Sequence, residues 1–292
     1  MPQPLVFDHR FFNSFRYLLI DATHREEIPD AWQATPVAPE FLGEDTARCP
    51  LLVDAHALSE ADRSGLLDRL ESEISARQET FVSQALATSG SGRVLLSHLQ
   101  SRLLVHDPVD RTPKQFRYFD PGTFIQLPDL LGSAGMGWLL GPIEAVAVPW
   151  LGEWRVHPRS DYPEQNGFEF RARWDSLQTV SVVNRVLIRL PEIGNQAEWQ
   201  QKAVLTRQHM ARARQHRLQS RDDLVAFALH AWQWHPEFDR HPSIRRLLAE
   251  LAAATPDDEL DYRELTARLN ETDWTKIVQD LHAETNRQGT QP

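Results

Sequence analysis

The chain has 292 residues, is 41% apolar and carries a formal net charge of -10. That suffices for one large domain or two modest ones with a real core, and it argues against a nucleic-acid binder, which needs a basic face. One cysteine, Cys49, excludes an internal disulfide and a thiolate zinc site; no apolar run is long enough to span a membrane, and Leu18-Leu19-Ile20, closed by Asp21, is too short for a signal peptide, so the chain reads as cytoplasmic.

Tyr17-Leu18-Leu19-Ile20-Asp21-Ala22 reads as a core strand ending in a polar turn. A proline-rich loop from Pro29 to Pro39 follows, running on to Phe41-Leu42, and Pro50-Leu51-Leu52-Val53 is a second strand. Ser59 caps a helix from Glu60 to about Arg77, with Leu66, Leu67, Leu70 and Ile74 at helical spacing. The spacing from Phe81 to Ala87 fits a strand or a short helix. Val94 to Val105 reads as a helix through His98, and Asp107-Pro108-Val109-Asp110 as a turn. The aromatics of Gln115-Phe116-Arg117-Tyr118-Phe119 predict a strand stopped by Asp120-Pro121, with Arg117 and Phe119 on one face and Phe116 and Tyr118 on the other. A short helix is expected at Asp129–Leu131, broken by Gly135 to Gly141, before a strand from Gly141 to Trp150. Trp154–Val156 and Phe168–Ala172 show strand alternation, with a loop over 157–167 between them; Val180 to Leu190 is helix or strand.

After Gly194 the texture turns helical. Glu198 to His216 is one long helical pattern. Ser220 caps the next helix, with Leu224, Phe227, Ala231 and Trp232 on one face, and Pro236 stops it. Pro242 starts another, running through Ile244 to Ala254; Thr255–Asp258 is a turn, and Leu260–Leu269 and Trp274–His282 complete the set. The expected fold is an α/β N-terminal lobe with a second, all-α C-terminal lobe. Its parts are a mixed α/β lobe over 1–156, a connecting segment over 157–197 and a helical lobe over 198–286.

Chemistry is harder to find. The five arginines from Arg207 to Arg221 are followed at once by Asp222 and Asp223, as on a solvated helix face. His230 and His235 lie five apart, on different faces of a helix, and Pro236 separates them from His241; the cheaper reading is solvated or capping histidines, and no metal is expected. No phosphate loop, dinucleotide fingerprint, HExxH or nucleophile elbow is present. A hydrolase would have to centre on His98 with Asp120 as its orienting acid. Arg117, set among aromatics, needs an acid, and Asp21 and Asp120 are the candidates; if it is buried, Arg117→Ala costs about 2–4 kcal/mol.

Taken in order, Tyr17–Ala22, Pro50–Val53, His98-Leu99-Gln100, Phe116–Gly122 and Leu140-Gly141-Pro142-Ile143 resemble the successive motifs of the type VI secretion adaptor proteins, or effector chaperones, catalogued as domain of unknown function 4123. Phe116-Arg117-Tyr118-Phe119-Asp120-Pro121 is the specific block, and the agreement runs over about residues 17–145. Ser220–Phe227 and Phe238–Pro242 are similar to the helical lobe of that family. Two departures stand out: Gln100 and Gly122 occupy positions where the family has arginine, so two charges suited to a partner's carboxylates are missing. The resemblance implies a non-enzymatic adaptor without cofactors. Such an adaptor binds a secreted toxic effector and helps load it onto a VgrG-like spike protein, with no role for nucleic acid or membrane. It also implies a groove between the lobes, for which an amphipathic helix of the partner is the favoured occupant. The residues expected to form the partner-binding or structural signature are Asp21, His98, Arg102, Arg117, Tyr118, Asp120, Phe227 and Trp232. Trp232 is the expected groove contact. The alternatives are the hydrolase and a structural subunit of a larger assembly.

Overall fold

In the computed structural model, the residues described are 10–39, 46–77, 79–163, 167–191, 193–253 and 260–288. Two compact units result, one of residues 1–178 with 194–200, the other of 179–193 with 201–292. The expected connecting segment is thus divided, 157–178 and 194–197 belonging to the first unit and 179–193 to the second.

The first unit begins with α1 (Phe11–Ser14) and β1 (Tyr17–Ile20). β1 is buried on both faces, which is why it reads as an unbroken apolar run rather than an alternation. β2 (Thr35–Pro36), β3 (Leu51–Asp54), α2 (Glu60–Ser75), β4 (Val82–Ala87) and α3 (Gly92–Leu103) follow. The ambiguous stretch from Phe81 is therefore a strand, and Ser59 caps α2 through the Asp62 N–H. The hairpin β5 (Leu104–His106) and β6 (Pro113–Gln115) forms a small sheet of its own. Then come α4 (Pro121–Phe124), α5 (Leu127–Leu140), β7 (Ala145–Trp150), β8 (Glu153–Pro158) and α6 (Trp174–Gln178).

The main sheet is antiparallel, in the order β2-β3-β1-β4-β7-β8. Leu18 stands between Val53 of β3 and Ala85 of β4. Leu18 and Ile20 join Phe11, Phe15, Leu66, Leu70, Phe81 and Trp154 in one core on the α1–α2 side. Tyr17 and Leu19 point the other way by strand alternation. There Tyr17 lies against Gly92 at the start of α3, so close that a Cβ at Gly92 would stand 3.0 Å from its hydroxyl.

Three local expectations fail. Phe116–Phe119 is not a strand: β6 ends at Gln115, and the next residues turn tightly, with Tyr118 N–H donating to Phe116 C=O and Asp120 N–H to Arg117 C=O. Phe116, Tyr118 and Phe119 are all buried, so the two-faced alternation fails too. Phe168–Ala172 is not a strand either; it enters a 3-10 turn at Arg171–Arg173. Gly135 and Gly137 lie within α5 rather than ending it. The break falls at Gly132, with φ of 66°, and the stop at Gly141, with φ of 51°, both backbone values suited to glycine.

The second unit is helical, and among the described residues β8 is the last strand of the chain. α7 (Val180–Leu187) resolves the ambiguous apolar segment as a helix, packing on α9 (Arg221–Gln233). α8 (Gln196–Gln215) crosses the unit boundary, and α10 (Pro242–Ala253), α11 (Tyr262–Thr266) and α12 (Glu271–Gln288) complete the set. Ser220 caps α9 through the Asp223 N–H, and α10 starts at Pro242. The turn expected at Thr255–Asp258 lies outside the described residues, as do Phe41-Leu42. No helix among the described residues is long and apolar enough to cross a membrane.

Two histidines of this unit make its stability pH-dependent. Burial pushes His209 down to about 4, helped by the nearby Arg212 guanidinium, and burial alone pushes His230 down to about 4. Unfolded, each takes up its proton near the ordinary 6.5. The unfolded state therefore binds more protons in between, and stability, fully present above about pH 6.5, is lost as the pH falls toward 4. Each imidazole is expected to contribute on the order of 1–2 kcal/mol. Urea melts at about pH 7.5 and pH 5 check this: the midpoint falls at the lower pH, and an equal or higher midpoint there contradicts it.

Candidate functional site

The segments that carry the family resemblance come together on the α3 side of the main sheet. Asp21 closes β1, caps the following 3-10 turn by accepting from Thr23 N–H at 3.0 Å, and holds Arg117 at 2.8 Å. Of the two acids expected for Arg117, Asp21 is its partner. Asp120 is used differently: it caps α4, accepting from Thr123 N–H at 2.7 Å.

Arg117 is 46% exposed at the side chain, with its guanidinium 5.0 Å from the centre of the Phe119 ring. The large penalty reserved for a buried charge does not apply. Arg117→Ala is expected to cost about 0.5–1 kcal/mol, as for other half-exposed ion pairs. A thermal melt tests this, and a loss above about 2 kcal/mol contradicts it.

Tyr118, by contrast, is buried. Its hydroxyl donates to Leu99 C=O of α3 at 3.1 Å, and its own C=O accepts from Gln84 of β4 at 2.7 Å. Burial pushes the phenol well above its usual range, so it stays a neutral donor. One residue thus ties the signature block to both the helix above and the sheet below. Sequence reasoning did not single out Gln84, since a polar residue in a strand signals nothing until its partner is known.

His98 and Arg102 stand one turn apart on α3 and both reach α5. His98 Nε2 donates to Leu139 C=O at 2.8 Å, and Arg102 Nε to Trp138 C=O at 3.0 Å, its guanidinium stacked 4.3 Å from the Trp138 ring. Burial holds both below their ordinary values, so His98 is a neutral imidazole with its proton committed to Leu139. Gln100, one of the two departures, is turned inward: its amide donates to Ala38 C=O at 2.8 Å. Gly122, the other, accepts from Gln126 at 3.0 Å in the buried first turn of α4. Cys49 is buried.

Phe227 and Trp232 belong to the second unit. Phe227 is 0% exposed, its ring 4.8 Å from Phe238 and 5.8 Å from Tyr262. It is a core residue and offers no surface to a partner; likewise Leu224 and Ala231 of its stripe are buried. Trp232 is half-buried, and its indole N–H donates within the unit, to Thr206 Oγ1 at 3.0 Å.

The hydrolase alternative pairs His98 with Asp120. Among the described residues no hydrogen bond joins His98 to Asp120; the first is committed to Leu139 and the second to the α4 cap. His230 pairs with the Tyr262 hydroxyl at 2.9 Å, while His235 and His241 accept from the backbone N–H of Glu237 and Ser243. Among the described residues no group of three or more His, Cys, Asp or Glu side chains is placed to hold an ion. No family model, curated protein or solved structure matches the chain.

Proposed function

We propose that the chain is a non-enzymatic adaptor that binds a secreted toxic effector of a type VI secretion system and helps load it onto the spike protein. The observation that carries this reading is the economy of the signature block. The segments that resemble the family's motifs are distant in sequence, yet they are tied to one another: β1 to β3 in register, Asp21 to Arg117, Tyr118 to Leu99, and His98 to Leu139 beside Gly141. Apart from the Asp21–Arg117 pair, with the Thr23 hydroxyl on Asp21, the polar groups in that set bond to backbone, which is how a scaffold uses polar residues. A catalytic group instead keeps an atom free for substrate. Such a block builds a rigid platform.

Arg117 is the exception, since half of its side chain remains open to solvent while Asp21 and Phe119 fix its direction. A pre-oriented guanidinium suits a partner's carboxylate. The adaptor reading therefore gives Arg117 to the partner. In a titration of the purified chain with a candidate toxin taken from the genes that flank its own, Arg117→Glu is expected to weaken binding about tenfold or more. Unchanged affinity removes Arg117 from the interface, and absence of any complex with the wild-type chain refutes the reading.

A further inference from the structure

From Gly167 to Arg173 the chain crosses the first unit without joining its sheets. Two rings hold it down. Phe170 stands edge-on to Trp138 at 5.1 Å and to Phe116 at 5.8 Å; Phe168 lies 6.2 Å from Trp138 and 5.1 Å from Phe170. The seat beneath Phe168 exists because Gly135 has no side chain: a Cβ there would come 2.8 Å from the Phe168 ring. Glu169, Arg171 and Arg173 are exposed. Among the described residues, no backbone hydrogen bond outside helices and strands ties the segment to the rest of the first unit; Arg173 N–H donates to Phe170 C=O within it. Just beyond it the chain is anchored again, where Trp174 Nε1 donates to Asp107 at 3.1 Å.

The shelf under these rings is part of the signature block. Trp138 is the residue stacked under Arg102, and Phe116 opens the Phe-Arg-Tyr-Phe-Asp-Pro run. A segment fixed by two side chains, with no ladder to its surroundings and a firm anchor behind it, lifts off without unravelling its neighbours.

We propose that residues 167–173 are a strap, a self-ligand covering a docking shelf on Trp138, Phe116 and Gly135. The shelf takes a partner segment that presents two aromatic residues at positions i and i+2, and the strap leaves when that segment binds. The chain's own Phe168-Glu169-Phe170 shows which spacing the seat accepts. Because the strap is tethered, it competes at an effective concentration that an isolated peptide rarely matches. A partner held by further contacts displaces it readily and an isolated peptide only at saturating concentration, so the strap screens out stray aromatic peptides at low concentration. The proposal rests on the adaptor reading only for the identity of the natural occupant.

The test uses the hexapeptide Ser-Gly-Phe-Glu-Phe-Ser, labelled for anisotropy, against the wild-type chain and the double variant Phe168→Ser/Phe170→Ser. The double variant is expected to bind it about tenfold more tightly, since the tethered competitor is gone. The same peptide with both phenylalanines replaced by serine should bind neither protein. A second readout uses the wild-type chain alone: saturating unlabelled hexapeptide should speed tryptic cleavage after Arg171 several-fold, as the strap is displaced. This readout decides the matter if circular dichroism shows the double variant unfolded. Equal affinity for both proteins, or an unchanged cleavage rate, overturns the proposal. Concentration-dependent dimers of the wild-type chain that dissociate on adding the hexapeptide assign the shelf to a second copy and overturn the partner-segment reading. None of these outcomes bears on whether the toxin binds, which is measured separately.

Discussion

Gly141→Ala is expected to destabilise the first unit by about 3–5 kcal/mol, combining a strained backbone with an overpacked contact. Gly141 sits at φ 51° and ψ -113°, a region closed to residues with a side chain. A methyl group there would also stand 2.2 Å from His98 Cε1. The imidazole cannot swing aside cheaply, because its Nε2 is bonded to Leu139 C=O. Guanidinium melts of the two proteins measure the loss. The double variant His98→Ala/Gly141→Ala should recover the steric share, about 1–2 kcal/mol, and leave the backbone strain. A loss below about 1 kcal/mol for the single variant contradicts this reading of the Leu140–Ile143 segment.

Phe227→Ala is expected to cost the second unit about 3–5 kcal/mol, because it empties a fully buried site lined by aromatic rings. α9, α11 and the Phe238–Arg240 turn meet on this ring, so the loss should appear in hydrogen exchange as faster opening of those elements. Had Phe227 been a partner contact, the same change would weaken binding and leave the melt unchanged. That result would mean that the ring is not core.

Much of the fold was legible because its signals are local. Ser59 and Ser220 act as the caps their hydroxyls suggest, Pro242 starts its helix, and the run Tyr17–Ile20 is the central strand. What misled were residues whose aromatic content serves packing rather than a ladder. Phe116, Tyr118 and Phe119 look like a strand, yet all three are buried around a tight turn, and Phe168 and Phe170 alternate like a strand while resting on another surface. Gly135 reads as a breaker, yet it is a seat inside a helix. The Arg117–Asp21 pair was one of the pairings on offer, whereas the exposure of Arg117 depends on what does not cover it, and no sequence pattern encodes that. Phe227 and Trp232 are expected on one face, yet five residues turn a helix by about 140° beyond a full turn, and the two differ accordingly: one fills the core, the other is half-buried.

The central claim is that the chain joins a toxin to a spike protein. The most direct measurement takes a spike protein and a candidate toxin from the genes that flank this chain's own, mixes them with and without it, and follows the complex by size-exclusion chromatography with light scattering. Toxin and spike are expected to co-elute only when the chain is added, with Arg117→Glu shifting the titration about tenfold. Co-elution of toxin and spike to the same extent without the chain, or no binding of the chain to either, contradicts it.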